Sequence, residues 1–456
     1  MYTSLVCHKH NLIEMFGRVL RLVRFYAATN RRLRAVPWSI FTPPLTHSIM
    51  MYMHHLPNSF KLRALQVWIL AFSTGGLVAN IYYIQPLLAA MAQGFHVSVT
   101  SMGAVAMLSQ LGTALGMFLF VPMGDNHERR GLIIRLVLAS AICLVLLAAA
   151  QNFLWLACAS FGVGLSASTV HVIVPYAAHL ADPEHRGKIV GMVLSGLLMG
   201  ILLARTFSGL IGAWLGWRSI YWIAALIMLF IAVLFRTLLP KSEPVVQMSW
   251  FQLIRSAGYL IRTLPTLREA TLIGGSLFAA FSAFWTTLVF FLQKPPYHYG
   301  SGVAGLFGLV GAVGAAGAPF VGHIADRYGA RRNVLIALLT AVASFAIMYF
   351  LGSHLWVLVL GVALMDLGVQ SGHVSNQTRI YALMPEARSR LNMVYMIFYF
   401  VAGALGSYGG GLAWEHFSWL GVCVLSVLFL CAGLGVQVLT MGSQSRGRIM
   451  SGTGND

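Results

Sequence analysis

Asp366, Gln370 and His373 are spaced four and seven residues apart, which places all three on one face of a helix. They fall inside a long apolar stretch. A charged side chain there costs a few kcal/mol on insertion scales, so it needs a partner, water or a function. Asn376, Gln377 and Arg379 extend the polar stripe. An acid beside a histidine, whose ordinary pKa is about 6.5, is suited to binding and releasing a proton. Arg205 is a basic residue well inside another apolar block. It can pair with Asp366, bind an anionic solute, compete with a proton for that acid, or belong to a structural ion pair. In Asn80-Ile81-Tyr82-Tyr83-Ile84-Gln85-Pro86, polar and aromatic groups adjoin a proline break, where freed backbone groups can serve a cavity. Trp285, Tyr395 and Tyr399 can wall such a cavity, or simply pack.

These residues need a scaffold that composition identifies. The chain is 58% hydrophobic and 9% charged, whereas a soluble domain is about one quarter charged. Blocks long enough to cross about 30 Å of hydrocarbon as helix run at 65–88, 99–122, 131–150, 153–180, 188–213, 217–239, 270–293, 300–324, 333–351, 354–381, 391–413 and 417–440. The expectation is an all-α membrane protein of twelve helices, six per half, with Asp366 as the acid deep in a span.

The net charge of +18 is explained by position and calls for no nucleic acid. Arg129, Arg130, Arg186, Lys188, Arg236, Lys241, Arg255, Arg262, Arg268, Arg327, Arg331, Arg332, Arg388 and Arg390 fall in loops on one side, against Arg218 and Lys294 on the other. This positive-inside asymmetry predicts both termini in the cytoplasm of a cell whose inner or plasma membrane holds the chain. Cys143, Cys158, Cys423 and Cys431 sit in apolar blocks without metal spacing. With no HExxH, GxSxG or P-loop, no enzyme, metal or cofactor is expected.

The chain also matches itself 202 residues downstream. Pro183-Glu184-x-Arg186-x-Lys188 returns as Pro385-Glu386-x-Arg388-x-Arg390, and His171, Gly209 and Trp217 return as His373, Gly411 and Trp419. Two similar halves suit alternating access about a central site. The counterpart of Asp366 is Gly164, so the scaffold is duplicated and its acid is not.

After the eighth block stands Gly322-His323-Ile324-Ala325-Asp326-Arg327-Tyr328-Gly329-Ala330-Arg331-Arg332, and after the second Gly124-Asp125-Asn126-His127-Glu128-Arg129-Arg130. Over residues 61–440 the chain resembles the major facilitator superfamily, whose signature in these two loops runs G-x-L-A-D-R-x-G-R-R. The first copy, read from Pro122-Met123, is one residue shorter, lacks the leading glycine and has Glu128 in place of the later one. A carboxylate at a helix end beside a tight turn can collect backbone and arginine hydrogen bonds. The resemblance implies that Asp125, Arg129, Arg130, Asp326, Arg327, Arg331 and Arg332 form latches that bias one conformation over another. It also implies that spans one, four, seven and ten surround the cavity, so that His171 and His373 face each other, and that spans two, five, eight and eleven join the halves. Gly302, Gly305, Gly308, Gly311, Gly314 and Gly317 give the eighth span a smooth face for close approach. The efflux branch often carries a glycine-and-proline signature in the fifth span; here Gly196 to Arg205 contains no proline.

Residues 1–60 are basic, and read as a disordered tail, a transit-like presequence, or an over-extended start with initiation at Met50, Met51 or Met53. The expected division is bundle 61–239, linker 240–269 with a short amphipathic surface helix, bundle 270–440 and tail 441–456. The expected function is secondary transport by a monomer in the lipid bilayer, exporting a small organic solute in exchange for protons. Import with protons, or uniport, is the alternative, and a non-transporting membrane receptor or enzyme is the remote one. The site set is Asp366, His373, His171, Gln370, Arg205, Asn80, Gln85 and Asn376.

Overall fold

A computed structural model describes residues 58–182, 185–242, 250–316, 329–384 and 387–451. Met1–Ala64 and Leu65–Asp456 group as separate units. The readings of the N-terminal extension fall outside the described residues, as do those on Asp326 and Arg327; Asp125 lies in a helix, but its side chain is not described.

The described residues are helical almost throughout, because in hydrocarbon every backbone polar group must be satisfied within its own segment. The first span is a helix Asn58–Tyr82, a 3-10 turn Gln85–Leu87 carrying Pro86, and a short helix Leu88–Phe95. The second is Val99–Asn126, the third Arg129–Ala148, and the fourth is broken at Ser168 into Phe153–Ala167 and Val170–Leu180. The fifth is Arg186–Leu215 and the sixth Trp217–Leu238. A linker helix, Trp250–Thr263, leads to the seventh span, Pro265–Gln293. The eighth is described over Ser301–Ala316, the ninth is Ala330–Leu351 and the tenth Leu355–Tyr381. The eleventh and twelfth form one run, Arg388–Ser451, broken at Ser418, whose φ of 53° leaves the helical region. Twelve spans result, as expected, in two sets of six.

The seventh span starts five residues earlier than expected. Pro265 takes the first helical turn, where its missing N–H is no loss. This brings Glu269 inside the span at 6% exposure. Asp366 is therefore not the only buried acid.

Polar contacts joining the two sets run from the middle of the membrane to the arginine-poor end. Gln93 donates to Gln293 at 3.4 Å, and Thr100 donates to Glu415 through both its N–H and its hydroxyl. In the middle, Gln110 donates to Ser407 at 2.8 Å, and Thr286, from the same set as Ser407, donates to it at 3.0 Å. Backbones approach closely at two crossings. A Cβ on Gly209 would stand 2.7 Å from Gly305 Cα, and one on Gly411 3.0 Å from Thr100 Cα; only glycine fits there. At the arginine-rich end the fifth span exposes Arg186, Gly187, Lys188, Gly191, Leu194 and Ser195.

Candidate functional site

Arg205 is fully buried. Its Nε donates to Gln85 Oε1 at 2.6 Å, an acceptor delivered by the 3-10 turn at Pro86. Its guanidinium carbon lies 3.9 Å from the centre of the Trp285 ring, 4.9 Å from Tyr82 and 5.3 Å from Phe281. Aromatic faces attract a cation most strongly when water is excluded. Nη1 and Nη2 have no hydrogen-bond partner among the described residues, and neither has Trp285 Nε1. A small recess lined by Tyr82, Ile84, Gln85, Gln110 and Phe278 adjoins this cage.

Asp366 is 1% exposed, and its Oδ2 is likewise unpartnered among the described residues. It does not form the ion pair with Arg205 that the sequence left open. Instead it faces the glycine surface of the eighth span, where a Cβ on Gly311 would meet Oδ2 at 2.9 Å. Arg205 meets the same surface at Gly308, whose Cβ would stand 2.9 Å from the arginine Cβ. Asp366 acts through space on Arg205, Tyr82 and Tyr399. At an effective dielectric near 20, such a buried pair interacts by a few kcal/mol without contact.

His373 lies on the same helix, with its Nδ1 3.1 Å from Tyr395 Oη and its ring 4.8 Å from that of Tyr399. Tyr399 stacks on Phe278 at 4.0 Å. These are the aromatic walls expected of Tyr395, Tyr399 and Trp285. His171 lies on the second segment of the fourth span, Val170–Leu180, within electrostatic range of His373. Gln370 is half-buried between Asp366 and His373 on the tenth span.

Two expected members lie elsewhere. Asn80 turns into its own helix set, donating to Ser140 Oγ at 3.3 Å and lying 3.4 Å from Met228 Sδ. Two residues, about 200° around the helix, separate it from Tyr82, which faces the cage. Asn376 accepts from Arg379 at 3.3 Å, and Arg379 pairs with Glu269 at 2.7 Å. Asn376 thus belongs to a cluster at the arginine-rich end.

That cluster recasts one latch. Arg331 reaches Glu269 at 3.4 Å, so one acid of the seventh span holds arginines from the ninth and tenth. In the other half, Glu128 caps the third span by accepting from the N–H groups of Arg130 at 3.0 Å and Gly131 at 2.8 Å. Arg129 donates to Gly124 O at 2.8 Å and Arg130 to Leu239 O at 2.9 Å, past the end of the sixth span. Arg332 is exposed on the first turn of the ninth span. Glu269 and Gln110 were missed by sequence reasoning. Pro265 as a helix start, and a glutamine within an apolar span, were the available signals.

Comparison with known proteins follows this geometry. The family model described as Major Facilitator Superfamily matches residues 68–407 and, again, 272–444. The chain is 40% identical over 368 residues to the uncharacterized transporter YgaY of Escherichia coli O157:H7, covering 81% of this chain and 93% of that one. It is 30% identical over 366 residues to the probable transporter SCO4007 of Streptomyces coelicolor, covering 80% and 85%. Among solved structures, it is similar to the inward-facing, unoccupied bacterial homolog of the human lysosomal transporter Spinster. The TM-score is 0.65 at 18% identity, covering 83% and 94% of the two chains.

Proposed function

The chain belongs to the Major Facilitator Superfamily, and from that premise we propose that it is a proton-coupled transporter of a small organic solute, with Asp366 as the proton carrier. One observation carries this reading. Asp366 is a buried acid with one oxygen unpartnered among the described residues, within electrostatic reach of a buried arginine but not paired to it. A carboxyl group held by a direct ion pair would be committed to one charge state, whereas this one is free to change. His373 and His171 assist the proton's passage, and Gln370 lines its path. Arg205 tunes the acid. The sequence boundaries 61–239 and 270–440 are taken as the moving bundles, joined by the linker.

With the arginine-rich end in the cytoplasm, the contacts at Gln93, Thr100 and Glu415 close the outer side. This supports an inward-facing state. The latches around Glu128 and Glu269 act at the end that must close next. Export in exchange for protons is the primary reading of direction. A second reading, solute and proton carried together, is favoured by the unsatisfied Nη1 and Nη2 of Arg205.

The test begins with growth of a deletion strain and an overexpressor across a panel of toxic compounds, followed by flux of the responding solute in proteoliposomes under an imposed pH gradient. Asp366→Asn should abolish pH-driven flux while leaving membrane insertion intact. Unchanged flux in that variant sinks the assignment.

A further inference from the structure

We propose that Arg205 is the anchor of a binding site for an aromatic or otherwise flat monocarboxylate. The inference deepens the second reading above, solute and proton carried together, and rests on it only for the sense of coupling. Four observations bear on the ligand. The guanidinium is fully buried, and its two terminal nitrogens, the pair that grips a carboxylate side by side, lack partners among the described residues. Its Nε is tied to Gln85 at 2.6 Å, which fixes the plane of the fork. Trp285 Nε1 is an unsatisfied donor on the same wall. The surroundings are otherwise aromatic: Tyr82, Phe281 and Trp285 against the guanidinium, and Phe278 in the adjoining recess.

Charge balance selects the class. One arginine can neutralise one negative charge, and Asp366 stands nearby as a competing anion. A dianionic phosphate would bring a surplus charge into a site with no second cation on the cage among the described residues. A monocarboxylate whose body packs on aromatic rings leaves no surplus once Asp366 is protonated. The titratable groups acting on Arg205 are Asp366 and Tyr82, and those acting on Asp366 are Arg205, with Tyr82 and Tyr399 also within its range. A proton on the aspartate removes the anion that competes for Arg205. Carboxylate and proton therefore bind together rather than in competition.

The probe is benzoate, added to the purified full-length protein in nanodiscs and read by tryptophan fluorescence, with Trp285→Phe assigning the signal. Benzoate should bind, while benzamide and benzylamine should not. Arg205→Lys, which keeps the charge and loses the fork, should weaken binding by about tenfold or more, as for loss of a charge-assisted hydrogen bond. Wild-type affinity should rise as pH falls, and Asp366→Asn should abolish that dependence while still binding. Equal affinity for benzoate in Arg205→Lys, tighter binding of phenyl phosphate or benzylamine than of benzoate, or no benzoate binding by wild type overturns the site. These ligand comparisons need no variant that folds poorly. Benzoate binding with unaltered flux in Asp366→Asn would discard the proton carrier and keep the site; lost flux with arginine-independent binding would do the reverse.

Discussion

Arg205 and Asp366 lie against the same helix one turn apart and do not touch: Gly308 faces the arginine and Gly311 the carboxylate. The eighth span is thus the spacer that keeps two buried charges close enough to feel each other and too far apart to neutralise each other by contact. Its glycines set that separation.

Gly311→Ala should therefore act on coupling rather than on folding. The new methyl would press on a carboxylate that can swing aside, and alanine favours the helix by about 0.5–1 kcal/mol. The expected result is normal thermal stability with an altered pH profile of solute flux.

Gly305→Ala should be worse, because its Cβ would meet backbone, at 2.6 Å from Arg205 O and 2.9 Å from Gly209 Cα. Overpacking of this kind costs about 1–3 kcal/mol. A lowered melting temperature and depressed flux are expected; wild-type values for both would contradict the close crossing.

Glu269→Gln should loosen the arginine-rich end of the second half. Combined with Arg379→Gln in a double-mutant cycle, the pair should show a coupling of about 0.5–3 kcal/mol in unfolding free energy. Additive losses would mean that the 2.7 Å contact contributes nothing.

Cysteines replacing Thr100 and Glu415, joined by a short cross-linker, should stop flux by holding the arginine-poor end shut, with recovery on cleavage of the link. Continued flux in the cross-linked protein would remove that end from the alternating motion.

Asn80→Ala separates packing from coupling. It removes hydrogen bonding to Ser140 and should cost about 1–3 kcal/mol of stability, yet leave the pH dependence of flux unchanged.

Much of this site was legible because period and burial cost act locally. Asp366 and His373 share a face by spacing alone, and the 202-residue repeat singled out His171 as the counterpart of His373. Asn80 points away from the cage because the rotation of its helix, Asn58–Tyr82, is settled by packing on the third and sixth spans, which spacing along the chain does not reveal. The partner of Arg205 was undetermined for a similar reason: Gln85, 120 residues away, outcompetes Asp366 for contact by geometry that composition does not encode. Glu269 was hidden by a span boundary placed five residues late.

The hydrogen bonds from Gln110 and Thr286 to Ser407 sit part-way along the second span and can serve as a fulcrum. From Gln110 the helix runs ten residues to Thr100 and sixteen to Asn126, or about 15 Å and 24 Å at 1.5 Å per residue. A rigid rocker pivoting there has unequal arms. A tilt of about ten degrees shifts the short end by roughly 2.6 Å and the long end by roughly 4.2 Å, so a small parting at Thr100 and Glu415 is magnified at the arginine-rich mouth.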